Sequence, residues 1–255
     1  MIPPKSRRPG LRVFRTAAAH TRNRPNDLIL GTLLAFVAGA INAGGFLAVG
    51  QYTSHMTGMV SSVADNVALG LFGLVSAGLA ALIAFASGAA SSAILINWGR
   101  RNARRKQYAY PLAVEAVLLL AFGALGTAMK AAPETAIAAV PLLCFIMGLQ
   151  NATITKISGA RIRTTHLTGM ITDIGIESGK LVYELAGRAH GVTVRADRRK
   201  LSILSQVVSM FFLGGVVGAI GFKHLGYGFS MPLATLLLVL TSPQLIIQPL
   251  KKRAA

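Results

Sequence analysis

The chain has 255 residues, 53% of them hydrophobic and 13% charged, and a formal net charge of +18. Ordinary soluble domains carry about 25% charged residues, so a solvated globular fold is excluded. Several apolar stretches of about 20 residues are long enough to cross a bilayer as helices instead.

In chain order, residues 1–26 hold seven Lys and Arg and no acid. They read as a basic cytoplasmic tail, with Pro3, Pro4 and Pro9 disfavouring order. A first span is expected at 28–49, Gly-rich and carrying Asn42 near its end. Thr53-Ser54-His55-Met56-Thr57-Gly58-Met59 follows. The second span is expected at 71–98 and the third, with Glu115 inside it, at 108–129. The fourth, at 134–155, contains Cys144 and Asn151; a lone cysteine allows no intramolecular disulfide and reads as a small packing residue. Thr164-Thr165-His166-Leu167-Thr168-Gly169-Met170 comes next, then spans at 201–222 and 227–247 and a basic tail at 249–255.

The charges follow the spans. Of the 26 Lys and Arg, all but Lys130 and Lys223 lie before the first span, at 100–106, at 156–200 or at 251–253. Six spans put every one of these clusters on one side, as the positive-inside rule requires. Both termini are therefore expected in the cytoplasm, in an inner membrane. Topology accounts for the basic charge without nucleic acid, and anionic lipid headgroups are the expected partners of the basic loops. Trp98, Tyr108 and Tyr110 flank one such loop, where interfacial aromatics belong.

The seven-residue motif occurs twice, 111 positions apart, and the preceding Phe36-Val37-Ala38-Gly39 and Asn42-Ala43 are echoed at Phe145-Ile146-Met147-Gly148 and Asn151-Ala152, 109 apart. Phe85-Ala86-Ser87-Gly88 aligns with Phe212-Leu213-Gly214-Gly215 at an offset of 127, the extra length of the second copy falling near 188–200. Residues 27–130 and 131–248 then form two units of three spans each. An odd number of spans means that the second unit enters the membrane from the opposite side. The expected fold is an all-α integral membrane protein of six transmembrane helices, an inverted 3+3 repeat with a Thr-Gly break after the first helix of each repeat. Secondary transporters often have this plan, with the solute bound where the repeats meet.

The polar residues of the motifs supply the candidate site. Asn42, Thr53, His55, Thr57, Gly58, Asn151, Thr164, His166, Thr168 and Gly169 are candidate substrate-binding residues, since Gly relaxes the backbone and Thr can satisfy carbonyls freed by an interrupted helix. Asp65, Glu115, Asp173 and Glu177 are candidate proton or cation carriers. A helix starting after each Thr-Gly would aim its amides at an anionic or carboxylate-bearing solute. The bland reading is a pair of interfacial amphipathic helices with solvated acids. Asn42 and Asn151 read equally as helix–helix hydrogen bonds. Glu115 faces the bundle interior or snorkels toward Arg100–Lys106.

At these residues the chain resembles the YoaK family of bacterial membrane proteins, a domain-of-unknown-function family. The resemblance covers about 27–247 and rests on the six-span layout, His55-Met56-Thr57-Gly58 and the looser Thr168-Gly169. Met59 departs from it, standing where that family commonly has Asn. The resemblance implies a bacterial inner-membrane protein and no particular activity.

No nucleotide-binding loop, nucleophile elbow or metalloprotease helix is present. No cofactor, no metal and no enzymatic activity are expected. The expected function is secondary transport or permeation of a small solute, coupled to protons or cations. The alternative is a non-transporting scaffold or a subunit of a larger membrane complex. Small-residue steps such as Gly214-x-x-x-Gly218 leave a homodimer open.

Overall fold

The computed structural model describes residues 24–102, 106–128, 136–158, 165–186 and 194–246, and among these its regular structure is all helical, without strands. Its helices are α1 (Arg24–Val49), α2 (Met56–Ala68), α3 (Phe72–Asn102), α4 (Ala109–Ala128), α5 (Ala136–Ser158), α6 (Leu167–Leu185), α7 (Arg198–Leu225) and α8 (Ser230–Ile246), with a 3₁₀ turn, Gly226–Phe229, joining the last two. Five stretches are long and apolar enough to cross a membrane: Leu28–Leu47, Phe72–Asn102, Ala109–Thr127, Ala138–Ile157 and Arg198–Ser242. The fifth contains α7, the turn and most of α8. α2 and α6 are outside this set.

Local chemistry sets the ends of these helices. Pro25 stands in the first turn of α1, where its missing N–H costs nothing. Gly50 follows α1 with φ 75°, and its amide donates to Phe46 O at 2.8 Å. That left-handed geometry is a glycine's preference. Asp197 caps α7 by accepting from the Lys200 amide at 2.9 Å, and Gly226, at φ 58°, ends it.

α1 and α5 form the centre. α7 packs on the outer side of α1, α3 packs on α5, and α4 pairs with α8 while touching α5. α2 lies on α3 and α6 on α7. Two crossings dominate, built from the same four-residue pattern. At α1–α7, a Cβ on Gly39 would collide with the Phe211 carbonyl, and a Cβ on Gly214 with the Phe36 carbonyl. At α3–α5, Gly88 meets the Phe145 carbonyl and Gly148 the Phe85 carbonyl in the same way. Only glycine allows backbones this close, where Cα–H groups reach carbonyl oxygens. The structural register is therefore Phe211-to-Gly214 and not the expected Phe212-to-Gly215. Gly214 is the buried residue, whereas a Cβ on Gly215 would make ordinary contacts.

Buried polar bonds reinforce the packing. Ser92 and Thr153 join α3 to α5 at 2.8 Å, Gln150 Nε2 donates to Leu34 O of α1 at 3.2 Å, and Ser230 Oγ donates to Leu119 O of α4 at 2.8 Å. Trp98 and Tyr110 meet edge-on near the α3–α4 connection, with ring centroids 5.1 Å apart.

Overpacking a core usually costs about 1–3 kcal/mol when neighbours can yield; the Phe85 backbone cannot, so Gly148→Val is expected to cost more than about 3 kcal/mol. Thermal unfolding in detergent micelles checks this. Gly175→Ala, where no atom stands within 4 Å of the added Cβ, is expected to leave the midpoint nearly unchanged.

Candidate functional site

The first motif hangs between α1 and α2. Asn42, near the end of α1, accepts through Oδ1 from the Ser54 amide at 3.1 Å and the Ser54 hydroxyl at 2.8 Å. Thr53 beside it is fully buried, packed toward Gly45, and its hydroxyl has no partner among the described residues. The His55 carbonyl accepts the Met59 amide at 3.1 Å, starting α2. The His55 ring folds over Gly58, where a Cβ would stand 2.6 Å from its Cε1. Met59 is the buried anchor of α2, packed with Ala81 and Cys144.

The second motif repeats this arrangement. The His166 carbonyl accepts the Met170 amide at 3.1 Å, the ring covers Gly169, and Met170 enters the main core. The glycine in each motif thus leaves room for the ring of the histidine three residues before it. This corrects the expected Thr-Gly break: Thr57, Gly58, Thr168 and Gly169 lie inside the first turns of α2 and α6, and neither glycine has positive φ. The chain bends earlier, at Gly50. Both histidine rings are exposed, as are Thr57 and Thr168. Thr164 lies outside the described residues.

The motifs differ in one respect. Asn151 occupies the place of Asn42, yet its Oδ1 is buried with no partner among the described residues. Thr165, which corresponds to Ser54, is half-buried.

The candidate acids separate into three environments. Asp65 is exposed on α2. Asp173 and Glu177 belong to a clamp between α6 and the start of α7. Glu177, 3% exposed, accepts from the Asp197 amide at 2.9 Å and from Lys180 Nζ at 3.0 Å, with Lys200 Nζ at 3.9 Å. Asp173 meets Lys200 at 3.2 Å, and Glu184 accepts from the Ala196 amide at 3.3 Å with Arg198 at 3.9 Å. Asp65 and Glu177 thus differ in environment: Glu177 has the Asp197 amide and two lysines beside it, and Asp65 is exposed.

Glu115 is the third case. It sits on α4 with 0% exposure, and neither carboxyl oxygen has a partner among the described residues. It does not snorkel to the interface. Gln150, also fully buried, keeps Oε1 unpartnered while its amide bonds Leu34. Gln150, Ser92 and Thr153 are polar core residues that the repeat pattern did not single out. The signal was a glutamine beside Asn151 in an otherwise apolar run. Among the described residues no three His, Cys, Asp or Glu side chains come together as a metal site would need.

A family model described as "Protein of unknown function (DUF1275)" matches residues 30–242, which take in both motifs, Glu115 and all four crossing glycines. The chain belongs to the DUF1275 family. No curated protein and no solved structure matches it. The family therefore carries no reaction or substrate to this chain, and the chemistry must be argued from the side chains.

That chemistry divides between α6 and α4. The Asp197 amide above all, then Lys180 and Lys200, hold the Glu177 carboxyl below its ordinary range against a smaller opposing effect of burial. The folded protein therefore binds fewer protons here than the unfolded chain as pH falls. The contribution of Glu177 is present above the unfolded value and is lost as pH drops through the lower, folded one. Acidification below about pH 4, the ordinary glutamate range, is expected to loosen α6 from α7. Glu177→Gln is expected to flatten this acid limb, measured as the midpoint of thermal unfolding between pH 7 and pH 3.

Proposed function

We propose that this DUF1275 protein is a secondary transporter or permease for a small solute, with Glu115 as its proton or cation carrier. The observation that carries the reading is the isolation of Glu115. A charged carboxylate buried without a hydrogen bond costs far more than a helix can recover, so this side chain needs a proton or a cation as company. An ionisable group in that position inside a membrane bundle is by default a functional one.

In this reading the molecule has six spans, α1, α3, α4, α5, α7 and α8, the last two separated by the Gly226–Phe229 turn. The halves form an inverted repeat. Its support is that exchanging the halves turns the α1–α7 crossing into the α5–α3 crossing, glycine for glycine. It likewise turns the α2–α3 contact into the α6–α7 contact. Both termini lie in the cytoplasm of a bacterial inner membrane, where the basic loops meet anionic headgroups. The resemblance to the YoaK family agrees with that location.

Asn42, Thr53 and His55 of the first motif and Asn151 and His166 of the second are the proposed solute-binding residues. No side chain caps α2 or α6 at its N-terminus, which suits a solute with an anionic or carboxylate group. Asp173 and Glu177, bound in the clamp, hold α6 in place.

The test uses protein reconstituted in liposomes on a solid-supported membrane, challenged with a panel of small carboxylates, amines and neutral solutes. Wild type is expected to give a solute-evoked, pH-dependent current that Glu115→Gln lowers at least about tenfold, or ~1.4 kcal/mol in barrier terms. Ser76→Ala, an exposed change on α3, is expected to leave it intact. A folded wild type silent across the panel favours the scaffold reading. Sidedness is checked with single cysteines at Val60 and Ile171, exposed neighbours of the buried Met59 and Met170, in a Cys144→Ser background. Labelling from opposite faces is expected.

A further inference from the structure

We infer that Asn42 and Asn151 are the two halves of a reciprocal latch, and that the structure holds the first closed and the second open. The inference rests on the inverted-repeat reading and adds to it a conformational device. The two asparagines are equivalent by sequence, 109 positions apart, and the hydroxyl residue immediately before each motif histidine, Ser54 or Thr165, is equivalent too; Asn42 is bonded to its hydroxyl residue. Equivalent residues in equivalent halves are expected to make equivalent bonds. They do not.

Asn42 Oδ1 takes two donors from Ser54, at 3.1 Å and 2.8 Å, tying the start of α2 to the end of α1. Asn151 Oδ1 takes none among the described residues, although it is buried. A buried acceptor left unmade is costly. Closing Thr165 onto Asn151 would recover that energy. Releasing Ser54 from Asn42 would leave the mirror-image deficit. Two such states of similar energy exchange when the halves exchange conformation, which is what alternating access requires of an inverted repeat. With the first motif toward the periplasm, the structure is the inward-facing state, its outer approach latched and its inner approach free.

The remaining parts fit a moving latch. Motif helix α2 buries Met59 alone, while α6 buries Met170 and Glu177 and is tied to α7 by the clamp, so the movement at the second motif is of Thr165 at the entry to α6. Each contacts one spanning helix extensively, so a swing of the motif leaves the four-glycine crossings intact.

The experiment is paired-cysteine cross-linking in native membranes with Cys144→Ser. The pair Asn42→Cys with Ser54→Cys is expected to oxidise readily. The pair Asn151→Cys with Thr165→Cys is expected to oxidise too, and to drop about tenfold, the population shift of a two-state element, once the first pair is already linked in a four-cysteine protein. Ser54→Ala, which removes one of the two donors, is expected to increase the second cross-link and slow labelling of a cysteine at Ile171 from the cytoplasmic side. Ser54→Thr is expected to restore both. This labelling needs no change at Asn151, so a poorly folding Asn151 variant does not shield the proposal.

A second pair that never forms while the first does, with Ile171 labelling indifferent to Ser54→Ala, overturns the latch. Opposite sidedness at Val60 and Ile171 together with that result leaves the inverted repeat standing and rejects the latch alone. Labelling of both from one face rejects the repeat itself.

Discussion

The approach of glycine Cα atoms to phenylalanine carbonyls is the constraint on which the rest of the molecule depends. Lipid chains are as apolar as leucine, so helices in a bilayer gain little by hiding side chains from one another. They associate by close packing instead. Gly39 with Gly214 and Gly88 with Gly148 bring backbones together as no other residue could. The row α7–α1–α5–α3 is fixed by these two contacts, with Gln150 tying its middle through Leu34. α4 and α8 then complete the core by packing against α5 and against each other. The motif helices are left outside, α2 anchored by the buried Met59 and α6 by Met170 and the Glu177 clamp.

The spans were legible because hydropathy and charge register the bilayer directly. Expected limits at 28–49, 71–98 and 108–129 became Arg24–Val49, Phe72–Asn102 and Ala109–Ala128, with differences of a few residues where polar ends stay helical beyond the apolar run. Expected limits at 201–222 and 227–247 became Arg198–Leu225 and Ser230–Ile246, although Gly226–Phe229 turns between them without enough polarity to interrupt the hydropathy. Register was misread by one at Phe211-Phe212, where two phenylalanines in tandem make either alignment plausible and only the facing carbonyl decides.

The motif shows a different limit. Thr-Gly in a repeated polar segment suggests a backbone break, since glycine's freedom is the commonest reason for its presence. Here Gly58 and Gly169 are helical, and what they provide is the absence of a Cβ beneath a histidine ring. A sequence states that a glycine is present and does not state which neighbour lies on it. The Asn42 bond to Ser54 was similarly indistinct beforehand from helix–helix glue. The structure places it between a helix and the loop that follows, where it governs the entry to α2.

The eight acids of the chain fall into distinct environments. Four of them, Asp173, Glu177, Glu184 and Asp197, gather where α6 meets α7, each bonded to a backbone amide or a basic side chain. That junction lies beside the inserted basic segment, and its acids are matched to it, so their charge is satisfied at home. Asp65 stands exposed on α2, its charge met by solvent or headgroups. Glu115 shares none of these solutions. It has neither solvent nor a partner among the described residues, on a helix packed against the core. Leucine would fill such a position at no electrostatic cost, as its neighbours Leu112 and Leu119 do. Stability alone would not select a carboxyl here, and a proton or a small cation is the company that a lone buried carboxyl can take.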